Sequence, residues 1–108
     1  STTIASDITL KYNIEPVSSA LQKLSKIQGV EFTWKKDNKQ SIGVIAQELQ
    51  EVFPQLVTEV NNIKDDGKHL TVNYSGLIGV LVEGIKDLQN QVNNLTKEIQ
   101  TIKDGTTD

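Results

Sequence analysis

The sequence predicts an α+β domain: short helices and β-hairpins that run into one long C-terminal helix. Two observations predict it. Apolar and polar residues alternate in two stretches, around Val30–Val44 and Leu56–Tyr74, which is the period of a half-buried strand. From Leu81 onward the apolar residues recur at steps of four and three, which is the period of a helix seam. The length of 108 residues allows one small domain.

Residues 1–15 are polar and aperiodic, with β-prone Ile8, Leu10 and Ile14. Pro16 is expected to open a helix, where its missing N–H costs nothing. Val17, Ala20, Leu21, Leu24 and Ile27 form its apolar stripe, and Gly29 stands where a C-cap glycine is expected. Val30, Phe32 and Trp34 then alternate as a strand, with Phe32 and Trp34 expected in the core. Lys35 to Gln40 is a polar turn, and Ile42 and Val44 resume the alternation. Ala46 to Phe53 reads as a short helix stopped by Pro54. A second hairpin follows, from Leu56–Val60 through a turn at Lys64–Gly67 to Leu70, Val72 and Tyr74.

The long helix is expected over 74–103, about 45 Å at 1.5 Å per residue. Ile85, Val92 and Ile99 take heptad position a, and Leu81, Leu88, Leu95 and Ile102 take position d. Its distal half outruns so small a domain, so the seam must meet a partner helix or stay wet. Branched a positions with Leu at d favour a parallel dimer, whereas Ile102 below Ile99 leans towards three strands. The heptads alone leave the number open. Glu98 and Lys103, at g and e positions, could pair between helices.

Composition removes several classes. There is no cysteine, so neither a disulfide framework nor a thiolate metal site is possible, and a single histidine, His69, argues against a histidine zinc site. Asp65-Asp66-Gly67 lacks the other ligands of a calcium loop and reads as a turn. No glycine-rich phosphate loop is present, and no cofactor is expected. The net charge of −3 disfavours non-specific nucleic-acid binding. No apolar run approaches the ~20 residues needed to cross a bilayer, so no membrane contact is expected. The absence of methionine points to a piece of a longer chain.

Ser6 and Lys11 are the candidate catalytic residues. A serine hydroxyl is a weak nucleophile until a base takes its proton. Lysine is such a base only when neutral, which calls for burial or a nearby cation. A short arm on a small monomer cannot dry an amine that far, so neighbouring subunits are expected to do so. A serine Oγ can reach the carbonyl of the residue before it through a five-membered ring, which is how such a pair could cut its own chain. Asp7 would repel a developing oxyanion and is expected to hold the local turn through backbone N–H groups.

Several stretches resemble a known family in co-linear order. They are Ser6-Asp7-x-x-Leu10-Lys11-x-Asn13-Ile14-x-Pro16, Phe32-x-Trp34-Lys35, Ile42-Gly43-x-Ile45-Ala46-Gln47-Glu48, Val52-Phe53-Pro54-x-Leu56-Val57, Val72-x-Tyr74 and Leu81-Val82-Glu83-x-Ile85-Lys86-x-Leu88-Gln89. Together they resemble the C-terminal intramolecular chaperone domain of phage tailspikes and tail fibres, the S74 peptidases. The resemblance implies a homotrimer that helps its upstream fibre fold and then releases itself. It makes Ser6 the nucleophile, Lys11 the general base and Ala5–Ser6 the cut. It divides the chain into 1–5, the end of the upstream fibre or spike; 6–73, the chaperone and autoprotease domain; and 74–108, the coiled-coil helix and tail. It implies assembly in the bacterial cytoplasm, with the mature fibre in the phage tail. Thr9 and Gly84 depart from the arginine and alanine frequent in the family, and Ser41 lies near a frequent histidine. Two alternatives stand beside this reading: a trimerisation tip that never cleaves, and the self-cleavage module of a membrane-tethered transcription factor.

Overall fold

The computed structural model describes residues 3–62 and 67–105. In chain order the elements are a 3-10 turn Ile8–Leu10, α1 (Ala20–Leu24), β1 (Gly29–Thr33), β2 (Gln40–Val44), α2 (Ala46–Val52), a 3-10 turn Pro54–Leu56, β3 (Val57–Asn62), β4 (Gly67–Val72) and α3 (Tyr74–Lys103). The architecture is α+β. Among the described residues there are two separate antiparallel two-stranded sheets, β1–β2 and β3–β4, and α2 packs against the second. The expected turn at Lys64–Asp66 lies outside the described residues.

Alternation in the sequence sets both hairpins. Val30 pairs with Gly43 and Phe32 with Ser41 in the first, and Val57 pairs with Val72 in the second. Phe53 closes α2, its N–H bonding to Leu49 O at 2.7 Å, and Pro54 starts the next turn without needing a donor. The core is small: Ala20, Leu49, Phe53, Leu56, Leu77 and Val80 are buried, with Val17, Leu24, Ile27, Val44, Val52, Val57 and Val72 packed around them. α1 packs along α3.

Three local expectations need correction. Pro16 lies outside any helix, and α1 starts only at Ala20, after Ser19 in the left-handed conformation at φ 53°. Ser19 contributes no side-chain cap; instead Asp87 Oδ2, on α3, accepts the Leu21 N–H at 3.2 Å. Four of the five stripe residues, Val17, Ala20, Leu24 and Ile27, nevertheless join the core as expected, whereas Leu21 does not. Gly29 does not cap this helix but opens β1. Neither aromatic of the first hairpin joins the core: Phe32 is half-buried, and Trp34, just past β1, is 48% exposed. It meets Phe32 edge to face, with ring centroids 4.9 Å apart.

Tyr74 belongs to α3 rather than to the second hairpin. Asn73 ends the strand run and caps the helix, its Oδ1 accepting the Gly76 N–H at 3.0 Å. The 30 residues of α3 span about 45 Å. Leu77, Val80 and Gly84 face the domain and are buried. Leu81, Ile85, Leu88, Val92, Leu95, Ile99 and Ile102 follow a different stripe and are all exposed in the single chain. The helix thus carries one apolar face for its own domain and a second with no covering. The molecule is correspondingly long, 69 × 39 × 27 Å, with a radius of gyration of 19.7 Å against about 13 Å for a compact chain of this size. Among the described residues no helix is long and apolar enough to cross a membrane.

Candidate active site

The candidate site is built by one turn of backbone. Asp7 is the N-cap of the 3-10 turn Ile8–Leu10, and its Oδ1 accepts the Thr9 N–H at 2.9 Å. The Thr9 hydroxyl donates to the same oxygen at 2.9 Å. Leu10 N–H bonds to Asp7 O at 3.0 Å and Lys11 N–H to Ile8 O at 3.1 Å. This turn folds the five-residue spacing back on itself. Lys11 Nζ consequently donates to Ser6 Oγ at 2.7 Å.

The electrostatics of the turn are local. The Thr9 backbone N–H, and then its hydroxyl, hold the Asp7 carboxyl below the ordinary carboxylate range. Asp7 is thus engaged with backbone, as its residue type suggested. Among the described residues Lys11 takes part in no ion pair. Ser6 and Lys11 are both exposed in the single chain. Chemically, the arrangement offers a hydroxyl nucleophile with an amine in hydrogen-bond contact, next to the Ala5 carbonyl.

The arm that carries the pair is itself unusual. Ile4, Ile8, Leu10, Tyr12 and Ile14 are all exposed, Tyr12 at 87%. The seam residues from Leu81 to Ile102 lie on α3, away from the turn in sequence and in contact with none of its side chains through hydrogen bonds. His69 is an exposed residue of β4, and among the described residues no cluster of three or more His, Asp or Glu could hold a metal.

Several residues that position this scaffold escaped the sequence reading. Glu48 grips the α1–β1 connection: Oε1 accepts the Gln28 backbone N–H at 3.1 Å and Oε2 the Gln28 side-chain amide at 3.0 Å. Gly84, read only as a departure from alanine, makes room for Leu24 of α1, whose Cδ1 occupies the place a Cβ would take. Gly43 makes room in the same way for the Tyr74 hydroxyl. Gln47 is exposed in a cleft that Phe32, Trp34, Leu70 and Tyr74 also line. A glycine in each motif was visible in the sequence, but not the distant side chain it admits.

A small α+β domain with a hydroxyl–amine pair on its N-terminal arm and a long C-terminal helix is the make-up of a fibre-assembly chaperone domain. Residues 6–58 match the family model Peptidase S74, chaperone of endosialidase, so the matched stretch opens on Ser6. The chain belongs to this family. It is 37% identical over 101 residues to the long tail fiber protein Gp37 of Enterobacteria phage K3, and likewise to that of phage T2, with 89% of this chain covered. It is 31% identical over 109 residues to Gp37 of Salmonella phage S16, with 94% covered. The chain spans 8% of the length of the K3 and T2 relatives and 14% of the S16 relative.

Proposed function

We propose that the chain is the chaperone segment of a phage tail fibre, which trimerises, guides its upstream fibre and then cuts itself off between Ala5 and Ser6. The observation that carries the cleavage is the 2.7 Å contact of Lys11 Nζ with Ser6 Oγ, at the residue where the family match begins. The uncovered seam of α3 supports the assembly step. Residues 1–5 then end the fibre, 6–73 form the working domain, and 74–108 form the registering helix and tail. Assembly takes place in the bacterial cytoplasm, and the mature fibre stays in the phage tail.

The reaction is a single turnover. Neutral Lys11 takes the Ser6 hydroxyl proton as Oγ bonds to the Ala5 carbonyl carbon. The Ala5–Ser6 C–N bond breaks, and the Ser6 nitrogen takes the proton back from Lys11. This leaves an ester between the Ala5 acyl group and Ser6 Oγ. Water hydrolyses that ester, freeing an Ala5 carboxylate and a chain that begins at Ser6. Lys11 is exposed in the single chain, so neighbouring copies supply the drying that a neutral amine needs. Three chains held by their helices also raise the effective concentration of the fibre segments that must register. Local helix contacts form faster than the long-range pairings of a β-rich fibre.

The test is the intact mass of the full-length protein expressed in bacteria. A fragment starting at Ser6, lost in Ser6→Ala and in Lys11→Ala, is the expected result. The exposure of Lys11 favours one second reading, a trimerisation tip that stays attached. Identical migration of wild type and Ser6→Ala would establish it and remove the peptidase.

A further inference from the structure

We propose that Thr9 is a positioning residue for self-cleavage: it holds the Asp7 carboxylate on the turn and so keeps it off the amine of Lys11. This rests on the reading of Lys11 as the base for Ser6. Asp7 is the nearest carboxylate to Lys11 in sequence on the N-terminal side, and both side chains belong to the same short turn. Left unoccupied, a carboxylate in that position would pair with the ammonium. An ion pair favours the charged amine. A charged amine has no lone pair with which to take the Ser6 proton.

The two charges have different partners. Asp7 Oδ1 receives both donors of Thr9, each at 2.9 Å. Lys11 Nζ is directed to Ser6 Oγ at 2.7 Å and forms no ion pair among the described residues. Glu15, the next acidic residue along the arm, is exposed and makes no ion pair with Lys11 either. No side chain from another element hydrogen-bonds or ion-pairs with Ser6, Asp7, Thr9 or Lys11 among the described residues. Within the single chain, the turn itself therefore sets which group each of the two charges meets. The threonine hydroxyl contributes the second donor, which backbone alone does not supply.

Thr9→Val tests this, because it keeps the size and the backbone N–H and removes only the hydroxyl. In the protein with its upstream fibre, the variant cleaves more slowly than wild type near neutral pH, and the difference closes as the pH is raised. Thr9→Ser restores the wild-type profile. Asp7→Asn added to Thr9→Val also restores it, since asparagine still caps the turn but has no charge to give Lys11. A second readout needs no turnover. In the Ser6→Ala chain, side-chain nitrogen NMR follows proton loss from Lys11, which moves to higher pH with Thr9→Val and returns with Asp7→Asn. Equal slowing at every pH, with Lys11 proton loss unmoved, would overturn the proposal and leave Thr9 a purely structural residue. If wild type never cleaves, the catalytic reading fails by itself, and the Lys11 titration still decides whether Thr9 segregates the two charges.

Discussion

The Tyr74 hydroxyl accepts the backbone N–H of Val44 at 3.1 Å. One bond thereby fastens the first residue of α3 to the last residue of β2. It is possible only because Gly43 has no Cβ, which would fall on the Tyr74 hydroxyl and lie 3.4 Å from the Phe32 ring. The motifs Ile42-Gly43 and Val72-x-Tyr74 are two halves of one latch between the first hairpin and the helix that follows the second.

Tyr74→Phe is expected to lower stability by about 1 kcal/mol, the net worth of one hydrogen bond. Gly43→Ala is expected to cost more, because the added methyl meets the hydroxyl. In the double variant the hydroxyl is gone, so the cost of the alanine falls. Urea unfolding of the four proteins at one fixed concentration measures the coupling. Strict additivity would mean that the two positions act independently.

How much of this was legible depends on how local the cause is. The bounds of α3 at 74–103 followed from a heptad period sustained from Leu81 to Ile102, and α2 was bounded by Pro54. Both signals lie within the element. The start of α1 was misplaced because its cap, Asp87, comes from α3, 66 residues further on. Trp34 was misassigned to the core because alternation says which face a residue takes, not whether another layer covers that face. At the candidate site the Ser6–Lys11 spacing and the capping tendency of Asp7 were readable. The part of Thr9 was not, because its donation to Asp7 depends on the turn being closed.

Asp87 should prove worth a helix cap despite its distance in sequence. Asp87→Ala removes the acceptor for Leu21 N–H and is expected to cost about 1 kcal/mol. Asp87→Asn keeps an acceptor and should cost a few tenths at most. Hydrogen exchange at Leu21 separates the two variants: protection is lost in the alanine variant and kept in the asparagine variant.

Gly84 sets how closely α1 approaches α3. Leu24 Cδ1 fills the space where a side chain would begin, so Gly84→Val is expected to cost about 1–3 kcal/mol by overpacking. Shortening Leu24 to alanine in the same chain should recover part of that loss. Thermal unfolding of both variants checks it. An unchanged melting temperature for Gly84→Val alone would show that the two helices tolerate separation there.

Acid should undo the N-terminal turn before it undoes the core. The Asp7 carboxyl is held below its ordinary range by Thr9, so the folded turn binds that proton more weakly than the open chain does. Its contribution is therefore complete above the ordinary carboxylate range and is lost as pH falls through the lowered value. Carbon NMR of the Asp7 carboxyl, followed with the Thr9 amide, should show one shared transition on the acid side of an unstructured aspartate. Asp7→Asn abolishes that transition and leaves the amide protected, since asparagine caps as well. A Thr9 amide that loses protection at the same pH in both chains would detach the turn from this carboxylate.

Cleavage should depend on residues far from the bond. The seam from Leu81 to Ile102 is exposed in the single chain. Leu88→Asp together with Leu95→Asp places charge at adjacent d positions, where burial of an unpaired carboxylate is prohibitive. The variant is expected to sediment as a monomer and to retain its full uncleaved mass, with Ser6 and Lys11 untouched. Neither Leu88 nor Leu95 belongs to the core around Leu77 and Val80, so the domain should keep its hairpins and α1 packing, visible as unchanged amide shifts at Val44 and Leu21. A monomer that still releases a fragment beginning at Ser6 would show that the turn alone, as wet as it is in the single chain, suffices for the chemistry. The seam would then serve fibre registration only.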